Sequence, residues 1–275
     1  MSDAEILPAN EAARSTRPLI SISVVSHGQG ALVRRMLESL IAHPPPAELE
    51  ILLTENLPVG RTEIPTLPGW DLVRVENAKP QGYARNHNQA FRRARGEYFC
   101  VLNPDIEFVS DVFPVLLETL EANLGQIVAP LVVDRRGVIQ DSFRSLPTPS
   151  ELLARKFFRR RSTPSDPTGI VIHPDWIAGM FLLTRSEVFR RVGGFDEKYT
   201  LYFEDVDFGC RARLAGFRLA VDTRGRVVHH ARRSSRKNLR HLLWHIQSAA
   251  RFFQSDTYRW SRQSRTGGQR EGRST

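Results

Sequence analysis

The sequence predicts an α/β fold, a mostly parallel central sheet flanked by helices, followed by a helical basic tail. Three observations lead there. In the first half, short apolar runs rich in β-branched residues alternate with amphipathic segments of helical period, the pattern of right-handed strand–helix–strand crossovers. Several of these runs stop abruptly at polar residues, as YFCVL does at Asn-Pro-Asp within Tyr98–Phe108. Charge is unevenly spread: residues 1–225 hold 27 Lys/Arg against 28 Asp/Glu, whereas residues 226–275 hold 12 against 2.

Residues 1–17 are polar and patternless and read as disordered. PLISISVVS (18–26) is a strand, followed by HGQG and an amphipathic helix through Leu32, Met36, Leu37, Leu40 and Ile41 that ends at AHPPPAE. LEILLTEN (49–56) and WDLVRVEN (70–77) are further strands. After Gly82 the segment YARNHNQAFRRARGEY has helical spacing and stops at Gly96. Tyr98–Leu102 is a continuous apolar run, as in a central strand covered on both faces. Pro104 has no N–H and biases Asn103 towards an extended backbone, so pairing ends there. Asp105 is thereby left at a strand's carboxyl end, where open α/β sheets bind ligands. An Asx turn explains the same residue without any ligand.

The second half is less regular. Residues 111–123 read as a helix, 126–133 as a strand, 135–138 as a hairpin turn, and the proline-bearing stretch 144–169 with its basic run Arg155–Arg161 as a loop. WIAGMFLLT (176–184) resumes a strand and 185–192 a short helix. A Gly turn then leads into a helix ending near Gly216, and RLAVD and RVVHH follow as short strands. The domain boundaries drawn are 18–232 for the main domain, 233–260 for an amphipathic helix and 261–275 for a disordered basic tail.

A chain of 275 residues with 41% hydrophobic composition can bury one sizeable core. It has no run of about 18 apolar residues and no basic-then-apolar leader, so a cytoplasmic protein is expected. Cys100 and Cys210 have no metal-ligand spacing and read as buried, reduced thiols. The basic excess suits an anionic partner, whether a membrane surface or nucleic acid, or serves solubility alone. Leu239, Leu242, Leu243, Ile246, Ala250 and Phe253 share one face of the tail helix. That face either packs on the domain or lies on a membrane. In the second case Arg232, Arg233, Arg236, Lys237 and Arg240 sit near anionic lipid, each worth about 1 kcal/mol close to the surface.

Chemistry concentrates at two places. EDVD (204–207) stands where a helix begins, and acidic residues there gain about 0.3–1 kcal/mol each from the helix dipole. Asp207 has Arg211 as an i,i+4 partner and is the structural member. Glu204 and Asp205 have none, and a carboxylate at a helix start in a cleft can act as a general base towards a hydroxyl. His229 and His230 end a strand. An Asp, a His and phosphate oxygens suit Mg²⁺ or Mn²⁺, which needs only one or two protein carboxylates when a diphosphate supplies the other oxygens.

These residues carry a resemblance over about 18–255. Four stretches match in order: the first strand with its turn SHGQG, then NAKPQGYARNHNQAFRRARGEYFCVLNPDIEF, then WIAGMFLLTRSEVFRRVGGFDEKYTLYFEDVDFGCRARLAGF, then VVHHARRSS. The chain resembles the inverting, nucleotide-sugar-dependent glycosyltransferases of family 2, with the Rossmann-like GT-A fold, and within them the rhamnosyltransferase-like group. The resemblance implies transfer of a sugar from a nucleoside-diphosphate donor to a hydroxyl of a glycan or lipid-linked acceptor, in polysaccharide or cell-envelope biosynthesis. On it, Asn103 and Asp105 stand for the Asp-x-Asp motif, Asp105 and His229 hold the Mg²⁺ or Mn²⁺, and Asp205 is the base with Glu204 beside it. Glu55 stands where the family has an Asp contacting the nucleotide base. Ser26, Gly82, Arg85, Asn86 and Trp176 complete the nucleotide-sugar site, with Gly179 and the Gly193–Gly194 turn on the acceptor side. Trp176 is equally a core residue.

Three departures bear on the donor. Glu55 is a methylene longer than the usual Asp and is followed by LPVG, Asn103 leaves one carboxylate for the cation, and SHGQG replaces the usual Thr-Tyr-Asn turn. The Asn-Pro-Asp form resembles enzymes that use dTDP-rhamnose. A nucleotidyltransferase would also place strand-end carboxylates around a metal, but SHGQGALVRR only partly meets the phosphate loop it needs. No G-x-G-x-x-G follows the first strand, which argues against a dinucleotide oxidoreductase. A nucleic-acid module built on the tail would bind with strongly salt-dependent affinity. The expected partners are the sugar nucleotide, the acceptor and an anionic membrane surface, with no nucleic acid.

Overall fold

The structure, a computed structural model, describes residues 19–57, 60–151, 170–230 and 239–271. The chain begins β1 (Leu19–Ser26), α1 (Gly30–Ala42), β2 (Glu48–Glu55), β3 (Asp71–Glu76), α2 (Tyr83–Phe91) and β4 (Tyr98–Leu102). It continues with β5 (Ile106–Phe108), α3 (Phe113–Glu121), β6 (Ile127–Val133), β7 (Phe143–Arg144), β8 (Val171–Ile172), β9 (Trp176–Ile177) and β10 (Phe181–Arg185). Helix α4 (Ser186–Val192), α5 (Glu204–Leu214), β11 (Leu219–His229), α6 (Leu239–Gln254) and α7 (Asp256–Glu271) complete it.

The main sheet runs β3-β2-β1-β4-β10-β6-β11-β5, with β8 beside β11. β3, β2, β1 and β4 are parallel neighbours joined through crossovers, as the alternation of strand and helix patterns requires. β10 then pairs antiparallel with both β4 and β6, so the second half of the sheet is mixed. The sheet is covered on both faces, and β4 displays why. Its residues alternate between two cores: Tyr98, Cys100 and Leu102 join α1 and α3, whereas Phe99 and Val101 join α2, α4 and α5. No side of this strand reaches water, hence the unbroken apolar run.

The two expected strands RLAVD and RVVHH are one strand, β11, interrupted by a register break between Asp222 and Arg226. The break lies opposite Pro130 of β6, which has no N–H to give the ladder. Both cysteines are buried and free. The expected N-terminal disorder and the basic run Arg155–Arg161 lie outside the described residues.

The tail forms two helices rather than one ending at 260. The chain turns at Ser255, whose hydroxyl accepts the Tyr258 N–H at 3.1 Å and starts α7. Phe252 and Tyr258 join Leu146, Tyr199, Phe203, Val206 and Cys210 in a third apolar cluster, so the tail is packed on the domain. The face it buries is offset from the apolar stripe: Ser248 and Phe252 are inside, while Leu242, Leu243 and Ile246 are 45%, 58% and 50% exposed.

Candidate active site

At the end of β4, Asn103 donates its N–H to the Met180 carbonyl at 2.9 Å before the chain turns through Pro104 and Asp105 into β5. β5 pairs antiparallel with β11, setting Ile106 opposite His229, and the His230 N–H donates to the Asp105 carbonyl at 2.9 Å. This pairing brings His229 Nε2 to 3.2 Å from Asp105 Oδ2. Asp105 Oδ1 is buried and has no hydrogen-bond partner among the described residues. A buried carboxylate oxygen left so is costly unless a cation or a donor reaches it.

The neighbouring histidine faces elsewhere, because successive strand residues point to opposite sides. His230 Nδ1 accepts the Arg135 Nε–H at 2.8 Å, so its Nε2 carries the proton it gives to Glu107. Burial raises the Glu107 carboxyl, but His230 and Arg35 outweigh it and hold it below its ordinary value.

The second acidic group lies at the start of α5. Asp205 is half-buried; its Oδ1 accepts the Val206 N–H at 2.8 Å and its Oδ2 the Gly179 N–H at 3.2 Å. Gly179 in turn gives its carbonyl to the Tyr83 hydroxyl at 2.5 Å. A side chain at 179 would put Cβ 2.4 Å from that hydroxyl, so glycine lets Tyr83 and Asp205 hold the two backbone groups of one residue. Burial raises both acids of the Glu204–Asp205 pair, Glu204 well above its ordinary range with the Asp205 charge adding to it. Glu204 is 5% exposed and its Oε2 has no partner, whereas Asp205 has two amide donors. Burial therefore pushes Glu204 further towards its neutral form, while the two amide donors favour the charged form of Asp205. Asp207 is the structural acid expected, 2.6 Å from Arg211 Nε.

The turn bearing Asp105 and the Asp205 carboxylate are tied at consecutive residues, since Gly179 holds Asp205 and Met180 holds Asn103. Helix α5 is also entered under strain. Tyr202 and Phe203 have φ of 72° and 66°, a left-handed conformation that costs about 1–3 kcal/mol per residue unless its surroundings enforce it. The tail supplies that enforcement: His241 Nδ1 lies 3.1 Å from the Tyr202 hydroxyl, Ser248 donates to the Leu201 carbonyl at 2.9 Å, and Phe203 packs on Phe252 and His245.

The remaining expected residues divide. Ser26 and Glu55 are in register at the carboxyl ends of β1 and β2. Just beyond them Asn77 donates to Asn56 at 2.8 Å and to Asn86 at 2.7 Å, with the Gln81 N–H on Asn56 at 2.9 Å. Asn56, Asn77 and Gln81 belong to no recognised motif, although LTEN and RVEN end alike and mark the first two. Glu55 is engaged within the chain: it accepts the Thr62 N–H and hydroxyl at 2.8 and 2.9 Å and pairs with Arg74 at 2.9 Å. Gly82 admits the Thr200 backbone, whose carbonyl oxygen would lie 2.8 Å from a Cβ. Arg85 is exposed and faces Glu197 at 4.0 Å. Trp176 is partly buried, packing against the third apolar cluster with its indole N–H on the Ser145 carbonyl at 3.2 Å. A cavity of about 1180 Å³ between the 193–200 loop and the tail, lined by residues such as Asp196, Asp207, Trp244 and Arg251, includes neither Asp105 nor Asp205.

The sequence profile of glycosyl transferase family 2 matches residues 21–184, more than half of the chain. The chain belongs to glycosyl transferase family 2. Rhamnosyltransferase WbbL of Escherichia coli K12 is 26% identical to this glycosyltransferase over 246 residues, covering 85% of this chain and 92% of the relative. The N-acetylglucosaminyl-diphospho-decaprenol L-rhamnosyltransferase of Mycobacterium tuberculosis H37Rv is 29% identical over 274 residues, covering 89% and 87%. Among solved structures, mannosyltransferase PcManGT from Pyrobaculum calidifontis, in complex with GDP-Man and Mn²⁺, aligns with a TM-score of 0.57 at 17% identity over 86% of this chain. GalNAc-T7 with UDP, GalNAc and Mn²⁺ aligns with a TM-score of 0.57 at 15% identity over 78%. The chain spans 65% and 44% of those two structures, which share its GT-A fold. The comparisons lend no support to a nucleotidyltransferase or a nucleic-acid module.

Proposed function

We propose that this glycosyltransferase is an inverting rhamnosyltransferase that uses a divalent cation, Mg²⁺ or Mn²⁺, and a dTDP-rhamnose donor, and that its acceptor is a lipid-linked glycan. The observation that carries the chemistry is the junction at Gly179–Met180, which ties Asp205 to the turn bearing Asp105. Support for the sugar and the acceptor comes from the names of the two rhamnosyltransferase relatives, one of which includes a diphospho-decaprenol carrier.

Among the described residues no cluster of three or more His, Cys, Asp or Glu could hold a metal. Asp105 and His229 nevertheless fit an ion that takes its remaining ligands from a diphosphate, as the unpartnered Asp105 Oδ1 suggests. When bound, such an ion offsets the charge that develops on the leaving diphosphate. Asp205 takes the proton of the acceptor hydroxyl. The oxygen forms the new bond to the anomeric carbon from the face opposite the diphosphate, and the old carbon–oxygen bond breaks with its electron pair leaving on the nucleotide. A panel of dTDP-, UDP- and GDP-sugars with Mn²⁺ tests the donor. Release of dTDP from dTDP-rhamnose is expected; release of UDP or GDP alone would overturn the assignment.

The tail is read as a surface that rests on anionic lipid. Leu242, Leu243 and Ile246 of α6 and Trp260 of α7 are exposed. Arg232, Arg233, Arg236, Lys237 and Arg240 precede them in sequence. No helix among the described residues is long and apolar enough to cross a membrane, so this contact would be peripheral. Vesicle sedimentation should show salt-sensitive recovery with anionic lipid, reduced by Leu243→Ser with Ile246→Ser. Equal recovery with neutral and anionic vesicles would rule the surface out.

A further inference from the structure

His229 is held at two points by Gln140, a residue that neither motif nor family match marks as functional. The Gln140 Nε2 donates to the His229 backbone carbonyl at 2.9 Å, and Gln140 Oε1 lies 2.7 Å from His229 Nδ1. A carbonyl can only accept, so it dictates which end of the amide is NH₂ and leaves Oε1 facing the ring. Oε1 can only accept in turn, so Nδ1 must carry the hydrogen. In neutral imidazole that leaves Nε2 with its lone pair, and this is the nitrogen 3.2 Å from Asp105 Oδ2.

Two acceptors facing each other at this distance repel unless something positive lies between them. With a neutral ring the pair presents two acceptors that a cation can join; a direct bond between His229 and Asp105 needs a second proton on the imidazole. Gln140 can hold the ring in this way because its own backbone is fixed: its N–H donates to the Val132 carbonyl at 2.8 Å, on the strand that neighbours β11. The adjacent His230 provides an internal contrast. Arg135 occupies its Nδ1 as a donor, which forces the opposite tautomer and turns Nε2 into a donor towards Glu107.

We infer that Gln140 is a positioning residue that fixes the tautomer of His229, so that Nε2 and Asp105 present a matched pair of acceptors to a divalent cation. The inference rests on the cation reading above, and its test separates the two. Long-range ¹H–¹⁵N spectra of metal-free protein at pH 8.5 read the His229 tautomer directly. Mn²⁺ binding in the presence of dTDP, followed by electron paramagnetic resonance, reads the consequence.

Wild type should show the Nδ1–H form. Gln140→Leu should shift His229 towards the Nε2–H form, which can bond Asp105, and weaken Mn²⁺ by about 10–100-fold, the usual worth of such an outer partner. Gln140→Glu keeps an acceptor for the ring, so it should keep the Nδ1–H form and bind Mn²⁺ more tightly than Gln140→Leu. A merely structural glutamine would change stability in both variants and the tautomer in neither. An unchanged tautomer in Gln140→Leu, with Mn²⁺ affinity unmoved, would overturn the inference. Absence of Mn²⁺ binding by wild type would instead overturn the cation reading, while the tautomer spectra still decide what Gln140 does to the ring.

Discussion

Asp205→Asn is expected to lower turnover by about 10²–10⁴-fold, the range supplied by a positioned general base, while leaving nucleotide affinity nearly unchanged. The amide keeps the shape of the carboxylate and one of its two acceptor oxygens, so the bond from Val206 at 2.8 Å can persist while the longer one from Gly179 is lost. It cannot accept a proton from the acceptor hydroxyl. The pH profile supplies a second signature. Burial raises the Asp205 carboxyl above its ordinary value, with the Gly179 and Val206 amides pulling it partly back. Because the base must be ionised, wild-type activity should fall, as pH is lowered, at a higher pH than an exposed aspartate would give. That acid limb should be missing from Asp205→Asn. Turnover close to wild type in the variant would transfer the base to Glu204, despite its burial.

The second large effect is expected at the other end of the site. Asp105→Ala and His229→Ala should each weaken Mn²⁺-dependent binding of the donor nucleotide by at least about 100-fold, more than loss of an outer partner costs, and lower turnover with it. The reason is geometric: these two side chains are 3.2 Å apart, and removing either leaves a cation with one protein ligand. His230→Ala is the control. Its ring is committed to Arg135 and Glu107, so it should disturb the local ion-pair network and change Mn²⁺ affinity little. Calorimetry of nucleotide binding with and without Mn²⁺ distinguishes the outcomes. Mn²⁺-dependent binding that stays unaltered in Asp105→Ala and His229→Ala would remove both residues from the donor site.

Much of this arrangement was legible locally. The stop at Pro104 needs nothing beyond the missing N–H, and the continuous run Tyr98–Leu102 reports a strand with no wet face. Asp207 and Arg211 meet because residues four apart on a helix are neighbours, and that spacing set them aside from Glu204 and Asp205. The tail's apolar stripe was equally visible, but not which face would be covered. Which side of α6 lies against the domain depends on Tyr202 and Phe203, aromatic residues held in a strained turn far from it in sequence.

Glu55, Arg85 and Trp176 are the cases where residue type alone pointed one way and neighbours another. Thr62 and Arg74 engage the Glu55 carboxylate, Arg85 faces Glu197, and the Trp176 indole rests against an apolar cluster. Gln140 and Tyr83 carried no local signal, since a glutamine after a turn and a tyrosine at a helix start are ordinary. From the sequence by itself came the α/β class, the strand ends that carry polar groups and the choice of Asp105 and Asp205. The family resemblance named His229, and what only the tertiary structure shows is how His229 rather than His230 comes to lie beside Asp105. In RVVHH a one-residue slip of β11 against β5 would exchange His229 and His230, because side chains alternate between faces with a period of two. Local periodicity cannot encode that register; it is set by long-range pairing with β5 and β6, and by Gln140 holding the ring that results.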